Sequence, residues 1–353
     1  MRPTLKTIAG IARVSPATVS LCLNRHPVAR TLSEETRNRI WAAARECNYR
    51  PNYIAKALSR GRTSSIGLVV ADLKIVRQAN FASEIMTLAA ERGNHLLIAS
   101  THFSKTKELE AFLSLKERQV DGIIFQFDSL SPDTEVYRQC VREQFPVVKL
   151  CRDERLPFVV PDSRRAMEQA VLLLRNSGAR RICGIIAPIV LEGHCTAFEE
   201  ACRKHGVDFE LVPPDAGSQS DSYSDGLLAR VADRDDCAFI NLGAYNLFRL
   251  QRLIRGERRL ITFLDEYDPV IELNEPLLAG IIFSHFRRIL STAVEVLLEQ
   301  IDRPENTPEQ SNIIEEEFVT VPEFKSRTGC ERRLRERFFS GIVANCNCTG
   351  RRK

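Results

Sequence analysis

Four hydrogen-bonding residues, Ser15, Thr18, Ser20 and Asn24, crowd the stretch "SPATVSLCLN" (15–24), and each can bond a backbone group or a phosphate oxygen. Elsewhere the reactive residue types are scattered. The six histidines (His26, His95, His102, His194, His205, His285) show no metal-ligand spacing. His194 beside Cys195 suggests nucleophilic chemistry, but the pair lies in "LEGHCTAFEEACRKHG", a helical pattern in which adjacent side chains point apart. A structural role is the better reading. Asp265 and Glu266 follow the apolar run "RLITFL", and carboxylates at strand C-terminal ends line ligand clefts in parallel sheets; a helix cap or a solvated loop is the open alternative. Cys346 and Cys348 form the one tight cysteine pair, without the further ligands that a tetrahedral metal site needs. Phosphate-loop, dinucleotide-fingerprint, zinc-protease and nucleophile-elbow patterns are absent from the sequence. No catalyst, metal or cofactor is expected.

Charge separates the chain into parts. Residues 1–65 carry 12 Lys/Arg against three acids, residues 66–330 are net −10, and residues 331–353 are net +5. A cationic head on an anionic body favours a phosphate-backbone partner. Eleven scattered cysteines, an odd number, read as small apolar residues and free thiols of a reducing compartment. No apolar run is long enough for a membrane span, and the first fifteen residues contain no apolar block of signal length. The expected location is the cytoplasm, with no membrane partner.

Three helical patterns fill the head. Leu5, Ile8, Ala9 and Ala12 share one face, Ser15 caps a second helix with Pro16 at its first position, and Ser33 caps a third whose stripe is Ile40, Ala43, Ala44 and Cys47. Trp41 and Tyr49 are expected to give this small module aromatic bulk, and the first two helices have helix-turn-helix spacing. Then "RPNYIAKALSRGRTSS" (50–65) contains an apolar turn too short to stand alone, a linker or a helix that folds on binding. From residue 66 apolar strand patterns alternate with helical ones. This predicts an α/β body of doubly wound parallel sheets, in two lobes with a central cleft. The expected domains are a head at 1–50, a hinge and linker at 51–65, a two-lobed body at 66–330 and a basic, disordered tail at 331–353.

"TLKTIAGIARVSPATVSLCLN" followed by "SEETRNRIWAAARECNYRPNYIAKALSRGRTSSIGLVV" resembles the N-terminal signature of the lactose/galactose repressor family of bacterial transcription regulators. The likeness is strong over residues 4–72 and weaker through "GIIF", "FPVVKLC", "VVPDSRRAMEQAV", "LEGHCTAFEEA" and "FLDEY" to about Arg327. It implies a helix-turn-helix head, a hinge helix, and a two-lobed effector domain like that of periplasmic binding proteins. The second helix would enter the major groove, with Pro16, Ala17 and Leu21 at base edges and Ser15, Thr18, Ser20 and Asn24 supplying hydrogen bonds. Family members often carry Arg where Leu21 stands; leucine offers a thymine methyl an apolar contact instead of a guanine fork. Asn52, Ala55, Ala57 and Leu58 match the hinge, Leu58 at the position that wedges into the minor groove.

The same resemblance places Phe81, Asp162, Asn241 and Asp265 at effector-binding positions. Two polar groups of the family pattern are replaced here, an arginine by Val190 and an acid by Leu242. A hexose fits such a site poorly, because buried polar ligand groups need partners. A changed effector, or none, is therefore expected. The implied partners are an operator in double-stranded DNA, an unidentified small molecule and a second copy of the chain, with dimer against tetramer left open. The rival classes are a periplasmic-type binding protein, which the head's charge disfavours, and a doubly wound enzyme, for which no catalytic constellation is found.

Overall fold

Thr4, Ser15 and Ser33 each cap a helix of the head, and each side chain accepts a hydrogen bond from the backbone N–H three residues on. The structure is a computed structural model that describes residues 3–24, 26–49, 61–126, 130–186, 192–213, 237–242, 254, 259–264, 277–305, 311–320 and 322–323. It divides into two units, Met1–Ser64 and Ser65–Lys353.

In the first unit, α1 (Leu5–Ala12), α2 (Pro16–Leu23) and α3 (Glu34–Glu46) pack around Ile8, Ala9, Ala12, Val19, Cys22, Ile40, Ala43 and Ala44. The stripes read from the sequence are the buried faces except at their ends, where Leu5 packs partly buried against the core and Cys47 is half-buried. Arg13 takes a left-handed conformation (φ 51°) after α1, which lets Val14 donate back to the Ala9 carbonyl and turns the chain into α2. The segment between α2 and α3 winds into a short 3-10 helix, Pro27–Thr31. Trp41 does not supply core bulk. It stands one residue off the stripe, about 100° round the helix from Ile40, and is 37% exposed, whereas Tyr49 packs against the core.

The second unit holds two six-stranded sheets. In chain order its elements are β1 (Ser65–Val70), α4 (Val76–Glu91), β2 (His95–Ser100), α5 (Lys105–Glu117), β3 (Gly122–Phe125), α6 (Glu135–Glu143), β4 (Val147–Lys149) and β5 (Phe158–Asp162). There follow α7 (Arg164–Asn176), β6 (Arg181–Ile186), α8 (Glu192–Lys204), β7 (Asp208–Val212), β8 (Cys237–Leu242), β9 (Leu260–Leu264), β10 (Leu278–Phe283), α9 (Phe286–Asp302), β11 (Ser311–Glu315) and β12 (Glu317–Thr320). The sheet orders are β11-β5-β4-β3-β1-β2 and β12-β10-β9-β8-β6-β7. The pairings are parallel except for the edge strand β12, which runs antiparallel to β10.

Strand alternation assigns each apolar side chain to one of two layers. Ile66, Leu68, Val70, Ile124 and Val148 face α4 and α9, while Val69, Ile123, Phe125 and Val147 face α5 and α6. Helices α7 and α8 cover the second sheet around Met167, Val171, Ile182, Phe198 and Ile240. The chain passes between the sheets three times, at Asp162–Arg164, Phe283–Phe286 and Glu315–Glu317.

One close approach in the second sheet gives a direct test. A Cβ built on Gly280 would lie 2.6 Å and 2.7 Å from Phe318 ring atoms and 3.1 Å from the Val319 carbonyl oxygen. Gly280→Ala is expected to lower unfolding stability by about 1–3 kcal/mol in urea titration, since the Phe318 ring must shift and the added methyl still crowds the Val319 carbonyl.

Candidate nucleic-acid interface and effector site

The N-terminus of α2 is open to solvent: Ser15, Pro16 and Ala17 are exposed, and Leu21 is half-buried. Ser15 Oγ accepts from the Thr18 N–H at 3.1 Å and lies 2.8 Å from Thr18 Oγ1. At the other end, Asn24 Nδ2 donates to the Ser20 carbonyl (2.9 Å) and contacts Ser20 Oγ (3.3 Å). These polar side chains thus fix both ends of their own helix and retain hydroxyl capacity on its outer side. Val19 and Cys22 point the other way, into the core. Lys6, Arg13, Arg30, Arg39 and Arg45 are exposed, with Arg39 paired to Glu35 at 3.3 Å. The exposed α2 N-terminus and the exposed cations of the same head are each suited to phosphate. Asn52, Ala55, Ala57 and Leu58 of the hinge lie outside the described residues, as does Arg25.

In the body the polar groups gather where the chain crosses between the sheets. Asp162 ends β5, and both its oxygens are held by the Arg164 guanidinium (2.6–3.2 Å). The Arg164 side chain, then burial working in the opposite sense, then the Arg164 N–H set its acidity, and the net effect holds the carboxyl below the usual range. The Glu316 N–H donates to the Asp162 carbonyl at 3.0 Å, tying the first crossing to the third. Asn241 closes β8 at full burial and donates to Thr262 Oγ1 at 3.2 Å. Phe81 is in the core of the first sheet's lobe, edge-on to Phe286 with centroids 4.2 Å apart, so it shapes that lobe from beneath. Asp265, Glu266 and Val190 lie outside the described residues; Leu242 is fully buried in the apolar layer of the second sheet.

Sequence reasoning missed three residues at the crossings. His194 Nε2 is 3.3 Å from Glu316 Oε1, both side chains are buried, and the imidazole stacks on Phe263 at 4.2 Å. Ser284 is buried at the second crossing. Among the described residues His194 Nδ1, Glu316 Oε2 and Ser284 Oγ have no hydrogen-bond partner. The signal for Glu316 was the acid-rich run "EEEF", in which only the residue between the two strands turns inward. His194 was noticed for its neighbour Cys195, which is only half-buried and is not the residue facing the crossing. Burial pushes the thiols of Cys140, Cys183 and Cys202 up to about 12, so these are inert apolar residues at neutral pH.

The chain thus combines a capped three-helix head that holds a helix-turn-helix with a body of two sheets crossed three times. Residues 4–52 match the family described as "Bacterial regulatory proteins, lacI family". The sucrose operon repressor of Klebsiella pneumoniae is 39% identical over 165 residues, which is 46% of this chain and 48% of that protein. The catabolite repressor/activator of Escherichia coli K12 is 37% identical over 148 residues, 42% of this chain and 44% of that one. The chain spans about half the length of the curated relatives it matches. Among solved structures, the lac repressor dimer bound to operator and the anti-inducer ONPF superposes with a TM-score of 0.75 at 18% identity, covering 91% of this chain and 98% of that one. Residues 4–52 are thus similar to the DNA-binding head of lacI-type regulators, and the chain shares its fold with the lac repressor.

Proposed function

We propose that the chain is a sequence-specific DNA-binding regulator, most simply a repressor, that acts as a homodimer and whose operator affinity is set by a small molecule bound at the crossings of its body. The observation that carries this reading is the exposed N-terminus of α2 within a cation-rich head that matches the family over residues 4–52. The proposed domains are a head at 1–50, a hinge at 51–65, a body at 66–330 and a basic tail at 331–353. The names of its relatives are those of regulators, which supports a binding role over a catalytic one.

In this mechanism Pro16, Ala17 and Leu21 meet base edges in the major groove, while Ser15, Thr18, Ser20, Asn24 and the head's cations hold the phosphate backbone. Leu58 enters the minor groove at the operator centre, with Asn52, Ala55 and Ala57 in the same hinge segment. Association through the first sheet's outer edge is supported by its exposed apolar side chains, Leu73, Met86 and Ile98 (41%, 51% and 37%). A ligand at Asp162, Asn241, His194 and Glu316 would bear on the first and third crossings and so on the angle between lobes; coupling of this kind is typically ~1–3 kcal/mol.

Selection from a random duplex library tests the reading. A two-fold symmetric consensus is expected, and an unenriched pool contradicts it. On the selected duplex, Leu58→Ala is expected to lower affinity about tenfold or more while leaving binding to random DNA nearly unchanged. Equal losses on both DNAs would remove the wedge assignment.

A further inference from the structure

A cavity of about 630 Å3 opens beside α6 and the segment joining β4 to β5, on the first sheet's lobe. Its floor is a closed polar cluster. Lys149 Nζ bonds Asp153 Oδ2 at 2.7 Å and donates to the Leu130 carbonyl at 2.9 Å. Asp153 also accepts from the Tyr137 hydroxyl (2.7 Å) and from the N–H groups of Arg155 and Leu156 (2.9 Å each). Lys149 and Asp153 are only 4% and 2% exposed, so the floor is rigid and electrically balanced.

The rim is not balanced. Arg138 and Arg142 come from α6, Arg152 and Arg155 from the joining segment, and Glu154 is the one acid of the lining beyond Asp153. The α6 pair leans on Glu135, at 3.1 Å and 4.0 Å. Among the described residues no carboxylate lies within ion-pair distance of Arg152 or Arg155, and both are exposed. Such a concentration of guanidinium is unusual in a body whose net charge is −10.

We infer that this cavity is an anion-binding site for a small phosphate-bearing molecule, a phosphate monoester or free phosphate. Guanidinium forks bond phosphate oxygens in pairs, and forks arriving from two different elements suit a tetrahedral dianion better than a planar carboxylate, which one fork satisfies. The volume is within the range of small-molecule sites and far exceeds a lone phosphate, which favours an ester whose organic part lies over the Tyr137 end. The acidic body and the concave shape disfavour nucleic acid here.

Isothermal titration calorimetry of the full chain with ribose 5-phosphate, inorganic phosphate and sulfate, at fixed ionic strength and without DNA, tests the site independently of the regulator reading. Saturable binding of ribose 5-phosphate or of phosphate, stronger than sulfate, is expected. Arg152→Ala and Arg155→Ala should each weaken it about tenfold or more. Arg175→Ala, which removes the same charge from α7, should not. Both test residues are exposed, and the Arg155 contact to Asp153 is through its backbone, so the variants should keep the parent's circular dichroism spectrum. Tighter binding of the ester assigns the cavity to esters, and equal binding assigns it to free phosphate. Absence of binding by both, or unchanged binding by the two rim variants, overturns the assignment.

Discussion

Replacing Val19 with aspartate is expected to unfold the head and abolish sequence-specific DNA binding while the body keeps its own unfolding transition. Val19 is fully buried among Ile8, Ala9, Ile40 and Ala43, while the Ser15–Ala17 end of the same helix is exposed. A core this small supplies only about 3–5 kcal/mol. An unpaired carboxylate there costs at least that much, because the head's cations lie on its surface and cannot follow the charge inward. The body has separate apolar layers, so urea unfolding followed by circular dichroism should show its transition unmoved. Retention of operator binding by Val19→Asp, or loss of the body transition with it, would contradict the division of labour argued from the two units.

Asp153→Ala is expected to cost the body about 3–5 kcal/mol, and Lys149→Met distinctly less, about 1–3 kcal/mol. Removing the carboxylate leaves Lys149 charged and buried and strands three further donors, from Tyr137, Arg155 and Leu156. Removing the lysine leaves a carboxylate that those three donors still satisfy. Equal costs, or the reverse order, would show that the ion pair and not the carboxylate's full set of donors holds this corner. The pH dependence has a definite sign. Burial alone would raise the Asp153 acidity constant, but the hydrogen bonds from Lys149, Arg155, Tyr137 and Leu156 outweigh it, so the folded value lies below the ordinary one. The contribution is therefore complete above the unfolded value near ~3.9 and is lost as pH falls through the depressed folded value. Below that window the parent and Asp153→Ala should converge in urea midpoint. The Tyr137 hydroxyl, which donates to the same carboxylate, is pushed upward by burial and that charge and stays protonated throughout.

The head was legible in the sequence because its signals are local. Caps at Thr4, Ser15 and Ser33 stand beside stripes of 3.6-residue period, and the stripes are buried faces except at their ends. Trp41 escaped because an aromatic residue was assigned inward by type, not by its angle on the helix. In the body, the continuous apolar runs of β1, β3, β6 and β8 announced a parallel sheet, whereas β11 and β12 carry no such run because they are edge strands with one wet face. Sequence spacing could not reveal that "EEEF" is a crossing, since residues 122 apart in the chain, His194 and Glu316, meet there only through topology. The same holds for the arginine rim: Arg138 and Arg152 are brought to one cavity by the fold of α6 against the segment after β4. Of the effector positions implied by resemblance, Asn241 and Asp162 stand at strand ends, while Phe81 acts from within a core.

The most direct measurement is a gel-shift competition with the full chain, comparing the selected symmetric duplex with a shuffled duplex of the same composition at two salt concentrations. Preference for the symmetric duplex by about a thousandfold or more, with both affinities falling as salt rises, is the expected result. Indistinguishable affinities for the two duplexes at both salt concentrations would contradict the claim that α2 reads DNA.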